Sequence, residues 1–141
     1  MKILIDTNVV LDVLLMREPF CKDAVRVLEL TKRDDIKEYV SASAVTDIYY
    51  ISFRQLKNKG LVMKLMKELL TVVSVAGVSG QEILKAMELE WNDFEDSVQY
   101  SVALLQEMDG IITRNPDDYK KSEIKIWLAE QALKEIEIQE D

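Results

Sequence analysis

Lys2-Ile3-Leu4-Ile5-Asp6-Thr7-Asn8 opens the chain, and the way this stretch ends decides the fold. Ile3, Leu4 and Ile5 form an unbroken apolar run, the composition of a strand buried on both faces of a parallel sheet. The run stops abruptly at a carboxylate followed by two small polar residues. Asp6 therefore stands at a strand's carboxyl end, where open α/β sheets leave a crevice and the next helix points its N-terminus. An aspartate there is also a favoured cap for a helix beginning near Asn8.

Outward from this strand the chain alternates. Val9 to Met16 reads as a short apolar helix interrupted by Asp12, and Glu18-Pro19 opens a second, with Phe20, Ala24, Val27 and Leu28 on one face. Lys32-Arg33-Asp34-Asp35 is a solvated turn before a second strand at Tyr39-Val40. Ser43 is the expected N-cap of a helix carrying Val45, Ile48, Tyr49 and Leu56, and Gly60 separates it from a helix over Leu61 to Leu70. Thr71 to Val75 has β-branched strand composition. Ser79 and Glu82 stand at capping-box spacing ahead of another helix. Asp93 caps the next, whose buried side is read as Phe94, Val98, Val102 and Leu105. Asp109-Gly110 ends it, Ile111-Ile112-Thr113 is a fourth strand, Asn115-Pro116-Asp117-Asp118 a turn, Ile124 to Leu128 a last strand, and Ala132, Leu133 and Ile136 line a closing helix. Strands alternating with amphipathic helices predict right-handed crossovers and a mainly parallel sheet between two helical layers, a three-layer α/β/α sandwich.

Composition narrows what such a fold can do. With 141 residues, 48% hydrophobic and 31% charged, the chain has the size and balance of one folded domain spanning residues 1–141. It has no stretch apolar enough to span a bilayer and no basic leader before the first strand, so a cytoplasmic location is expected. The single cysteine, Cys21, cannot form an internal disulfide and is read as a packed thiol. There is no histidine, so acid-base or metal chemistry falls to carboxylates. A net charge of −8 would ordinarily argue against a nucleic-acid partner. Cations bound by an acidic cluster reverse the local sign, however.

Acids recur where a parallel sheet gathers them. Asp6 ends the first strand, Asp47 lies one turn into the helix after the second, Asp93 and Asp96 open a later helix, and Asp117 and Asp118 follow the fourth strand. All lie at strand carboxyl ends or helix amino ends, which converge on one edge of the sheet. Each has a purely structural reading as well: Asp47 facing the helix dipole, Asp93 and Asp96 as reciprocal caps, Asp117 and Asp118 as turn formers. The functional reading makes Asp6 the first ligand of a divalent metal.

Three stretches then carry a resemblance. Ile-Asp-Thr-Asn-Val-Val-Leu-Asp from Ile5, Asp93-Phe94-Glu95-Asp96-Ser97-Val98-Gln99-Tyr100, and Ile112-Thr113-Arg114-Asn115-Pro116-Asp117-Asp118-Tyr119 resemble, in order and over essentially the whole chain, the PIN domain, including toxin ribonucleases of the VapC type. Residue by residue, the resemblance implies that Asp6, Asp47 and Asp96 are the catalytic acids. Two departures stand out: Asp47 occupies a position that is commonly glutamate, and Asn115 stands where the family has a fourth acid, with Asp118 expected to compensate and Asp93 adding an acid of its own. The implied metal set is Asp6, Asp47, Asp93, Asp96, Asn115 and Asp118. Oxygen ligands favour Mg²⁺ or Mn²⁺, which would activate water for hydrolysis of an RNA phosphodiester. Thr7 and Asn8 would hold the Asp6 carboxylate or a water, and Arg114 would clamp the substrate backbone. The resemblance also implies an RNA substrate, a small antitoxin partner and a homodimer. The rival expectation is a PIN-like RNA- or protein-binding module with weakened catalysis, favoured by Asn115.

Overall fold

The computed structural model describes residues 1–119 and 121–138. Its five strands are β1 (Lys2–Ile5), β2 (Lys37–Ser41), β3 (Ser74–Ala76), β4 (Gly110–Ile112) and β5 (Lys125–Trp127), in one sheet of order β3-β2-β1-β4-β5. Every neighbouring pair is parallel. The helices are α1 (Thr7–Leu14), α2 (Cys21–Glu29), α3 (Ala42–Leu56), α4 (Lys59–Leu69), α5 (Gly80–Leu89), α6 (Phe94–Leu105) and α7 (Ala129–Ile138). The expected domain of residues 1–141 includes Lys120 and residues 139–141, outside the described residues.

Two cores lie on opposite faces of the sheet. Ile3 and Ile5 of β1 point into one, with Val10 of α1, Val27 of α2, Ile48 of α3 and Leu133 of α7. Leu4 points into the other, with Ala86 of α5 and Val98 and Val102 of α6. Burial on both faces is why β1 reads as a continuous apolar run, and it gives the three layers expected from the alternation. No helix among the described residues is long and apolar enough to cross a membrane.

The chain builds β1, β2 and β3 outward in one direction, then returns to place β4 on the other side of β1. That reversal makes the gap between the carboxyl ends of β1 and β4 the topological switch point, where adjacent loops diverge and a crevice opens. The close fit of β4 against β5 needs Gly110, because a Cβ there would lie 2.7 Å from the Lys125 carbonyl oxygen and would run into the Trp127 ring.

Several local expectations shift. The N-cap of α3 is Ser41, whose hydroxyl accepts from the Ser43 amide; the expected cap, Ser43, is already helical. The break between α3 and α4 lies at Lys57, with φ 52°, and at Asn58, which caps α4 through the Leu61 amide. Gly60 sits inside the first turn of α4. Phe94 and Leu105, expected on the buried side of α6, are exposed. Ser79 and Glu82 form the reciprocal box that their spacing predicts.

Candidate functional site

The geometry of the site starts with how Asp6 is held. Asp6 occupies the N-cap position of α1, yet its side chain makes no capping hydrogen bond. Its Oδ2 instead accepts from the Thr113 hydroxyl at 2.6 Å, and its Oδ1 accepts from Gln99 Nε2 at 2.9 Å. Parallel pairing brings Thr113 there, since Ile5 is in register with Ile112 and the next residue of each strand reaches the crevice together. Gln99 arrives from α6, one turn beyond Asp96. Asp6 is 5% exposed, so two directed hydrogen bonds to an otherwise buried carboxylate fix its orientation tightly.

Around it is a cavity of about 200 Å³ lined by Asp6, Thr7, Asn8, Asp47, Asp93, Glu95, Asp96, Gln99, Asn115 and Asp118, with Ile51. The structure thus gathers every residue of the expected metal set. Asp117, the other acid of the turn after β4, faces an adjoining cavity with Trp91 and Lys121. Asp93 is the N-cap of α6, accepting from the Asp96 amide at 3.0 Å, so it caps and lines the cavity at once. Asp96 returns no bond to Asp93; its nearest donor is the Tyr119 hydroxyl, at 3.4 Å.

Burial and crowding of like charge both favour the protonated acids of the site. Burial first, then the charges of Asp93, Asp6, Asp118 and Glu95, push Asp96 up to about 7. Loss of water within the cavity, then the charge of Asp47 and a hydrogen bond to it, raise Glu95 to about 7 as well. Glu95 is a site residue that sequence reasoning passed over, as are Gln99 and Thr113. The signal in the sequence was that Glu95 and Gln99 flank Asp96 within one family-like stretch, and Thr113 lies in another.

Two residues that line this cavity each have a buried oxygen without a hydrogen-bond partner: Thr7 Oγ1 and Gln99 Oε1. Buried oxygens without donors are uncommon and call for a partner such as water or an ion. With only oxygen donors around them, the residues present fit a hard divalent cation. Among the described residues no three acids stand close enough to hold one ion together. A cation in this cavity would therefore be held in part through its own waters, as Mg²⁺ commonly is.

Arg114 is directed elsewhere. Its Nε lies 3.1 Å from Asp12 Oδ2 as an ion pair without hydrogen-bond alignment, and its guanidinium sits 4.2 Å over the Phe20 ring. Asp12, 1% exposed, also binds Arg17 Nε at 2.9 Å, and Arg17 reaches the Asn8 carbonyl at 3.1 Å. The expected substrate clamp is therefore part of a buried brace behind the site, holding the start of α1 to the end of β4, and it does not line the acid cavity. Asp12→Ala would strand two cations, and because both arginines are about a third exposed the loss is expected below the roughly 3 to 5 kcal/mol of a fully buried pair, at about 2 kcal/mol in urea unfolding.

A parallel three-layer domain whose switch point opens onto an acid-lined, histidine-free cavity is an α/β domain with an acidic crevice at its sheet edge. The sequence matches the PIN domain family over residues 2–117, so the chain belongs to that family. No curated protein matches it. Solved structures similar in fold include VapBC2 from Rickettsia felis bound to a DNA fragment from its promoter, at 16% identity and TM-score 0.71, covering 90% of this chain and 99% of that one. Mycobacterium tuberculosis VapC20, a sarcin-ricin loop cleaving toxin, is 18% identical with TM-score 0.63, covering 77% and 86%. A toxin-antitoxin complex from Klebsiella pneumoniae is likewise 18% identical with TM-score 0.63, covering 82% and 88%.

Proposed function

We propose that this PIN domain is a Mg²⁺- or Mn²⁺-dependent endoribonuclease and the toxin of a toxin-antitoxin pair. The observation that carries the reading is the acid cavity at the β1/β4 switch point, which gathers Asp6, Asp47, Asp93, Asp96 and Asp118. A cation held by Asp6, Asp47 and Asp96, in part through its waters, would supply charge neutralisation for a phosphodiester and lower the pKa of water for in-line attack. Asp6 holds one fixed carboxylate through Gln99 and Thr113. The amides of Asn8 and Asn115 and the Thr7 hydroxyl orient water and phosphate oxygens. Glu95 lies beside Asp47 in the same cavity, where partial burial and that neighbour favour its protonated form while no cation is bound. The partners we propose are an RNA substrate, an antitoxin protein and a second copy of the chain, in the cytoplasm; the VapBC relatives support the antitoxin.

The test is incubation of the purified protein with mixed cellular RNA, with Mn²⁺ or with chelator. Cleavage only with metal is expected. RNA left intact in both, with retained RNA binding, would favour the second reading, a PIN-like module with weakened catalysis, which rests on the amide at Asn115. Asn115→Asp is expected to tighten Mn²⁺ binding in calorimetry by about tenfold or more, because it adds a carboxylate to the cavity lining. An unchanged affinity would mean that Asp118 already fills that position.

A further inference from the structure

Resting on the nuclease reading above, we propose that the α3–α4 hairpin is the track that holds an unpaired RNA strand as it leaves the acid cavity. The first observation is a segregation of charge. Residues 48–67 carry five of the chain's 18 basic residues, Arg54, Lys57, Lys59, Lys64 and Lys67, and none of its 26 acids. The remainder has 13 basic residues against 26 acids, a balance of −13. All five cations are exposed. Among the described residues none of the five is held in an ion pair, which leaves all five available to a polyanion. A polyanion approaching an acidic cavity needs such a compensating surface.

The second observation is continuity with the site. α3 delivers Asp47 and Ile51 to the cavity, and Arg54, seven residues beyond Asp47, returns to the same helix face about 10 Å further along. Between them Tyr50 is 61% exposed. Tyr50 is braced edge-on by Tyr49, with centroids 5.1 Å apart, and Tyr49 stacks on Phe53 at 6.1 Å and 7°. An exposed, braced aromatic beside cations is a platform for a base whose face is free, which a duplex does not offer. Cations alone would serve an acidic protein equally; the aromatic next to the cavity favours the strand.

The test uses Asp96→Asn protein with Mg²⁺, so that RNA is held without being cut, and an unstructured pyrimidine oligoribonucleotide followed by fluorescence anisotropy. Adding Arg54→Gln, Lys59→Gln and Lys64→Gln is expected to weaken binding about tenfold or more and to flatten the salt dependence by about two in log-log slope. Tyr50→Ala is expected to weaken it about fivefold or more. Neutralising Lys2, Lys22 and Lys32 instead, which changes net charge equally, is expected to leave binding unchanged. Thermal melts check that each variant is folded. Undiminished binding by the triple variant overturns the track while leaving metal-dependent cleavage, and so the nuclease reading, intact. No binding by the Asp96→Asn protein also overturns it, with cleavage by the parent deciding the nuclease reading separately. Loss of poly-glutamate binding with RNA binding preserved would assign the hairpin to an acidic protein and overturn the proposal.

Discussion

Asp96→Asn is expected to lower metal-dependent RNA cleavage by at least about a hundredfold and, in chelator at pH 8, to melt higher than the parent. The first effect follows from removing a carboxylate from the acid cavity while keeping its size. Even groups that only support metal ligands cost about 10- to 100-fold when lost, so a ligand itself should cost more. The second follows from crowding. Asp96 keeps its proton in the folded state up to about 7, against 3.8 ordinarily, so at pH 8 the fold carries a charge that burial and its acidic neighbours disfavour. The side chain is partly solvated, and solvent screening brings the gain down to about 1 kcal/mol, roughly 3 °C for a chain of this size. At pH 3 both states are protonated and the difference should vanish. Adding Mg²⁺ should reverse the order, since the parent gains more from binding. A folded variant that cleaves at the parent rate would remove Asp96 from the chemistry, and one that melts lower in chelator at pH 8 would remove the repulsion.

Glu38→Leu is expected to stabilise the protein by about 2 to 3 kcal/mol near pH 7.5 and to take one proton out of its pH dependence. Glu38 lies in β2, far from the acid cavity, and is 2% exposed with neither carboxyl oxygen hydrogen-bonded. Burial alone raises it from 4.5 to about 8. The unfolded chain releases this proton near 4.5 while the folded chain keeps it to about 8, so stability falls as pH rises through that window, by about 1.4 kcal/mol per unit. Leucine has similar volume and no polar atom, and replacing a buried polar group by a packed apolar one is neutral to stabilising. Urea unfolding from pH 5 to 8 gives both profiles. Asp96 and Glu95 contribute slopes of the same sign, and subtraction of one profile from the other removes them. Parallel profiles would show that Glu38 is paired or hydrated in solution.

Glu38 and Arg114 also mark where sequence reading stopped. The run Ile3-Leu4-Ile5 announced a doubly buried strand because both faces demand apolar residues, and the alternation that followed required crossovers and parallel pairing. Asp93 and the Ser79–Glu82 pair could be read as caps because a cap is satisfied within three residues of itself. The acids of the site were legible for a related reason: they sit at element ends, and the fold class sends such ends to one edge.

What holds those acids was not legible. Thr113 and Gln99 reach Asp6 across 107 and 93 residues of chain, and only the placement of β4 beside β1 brings them there. Arg114, next to the site in sequence, is drawn away by Asp12, whose burial is set by how α1 and α2 pack on the sheet. Glu38 reads as an ordinary surface charge in Lys37-Glu38-Tyr39 until the layer over that face of β2 buries it. Local rules fix what each segment becomes and which ends carry charge. Which charges meet, which are paired and which are buried alone is decided by strand order and layer packing, because those interactions join residues that local propensity never compares.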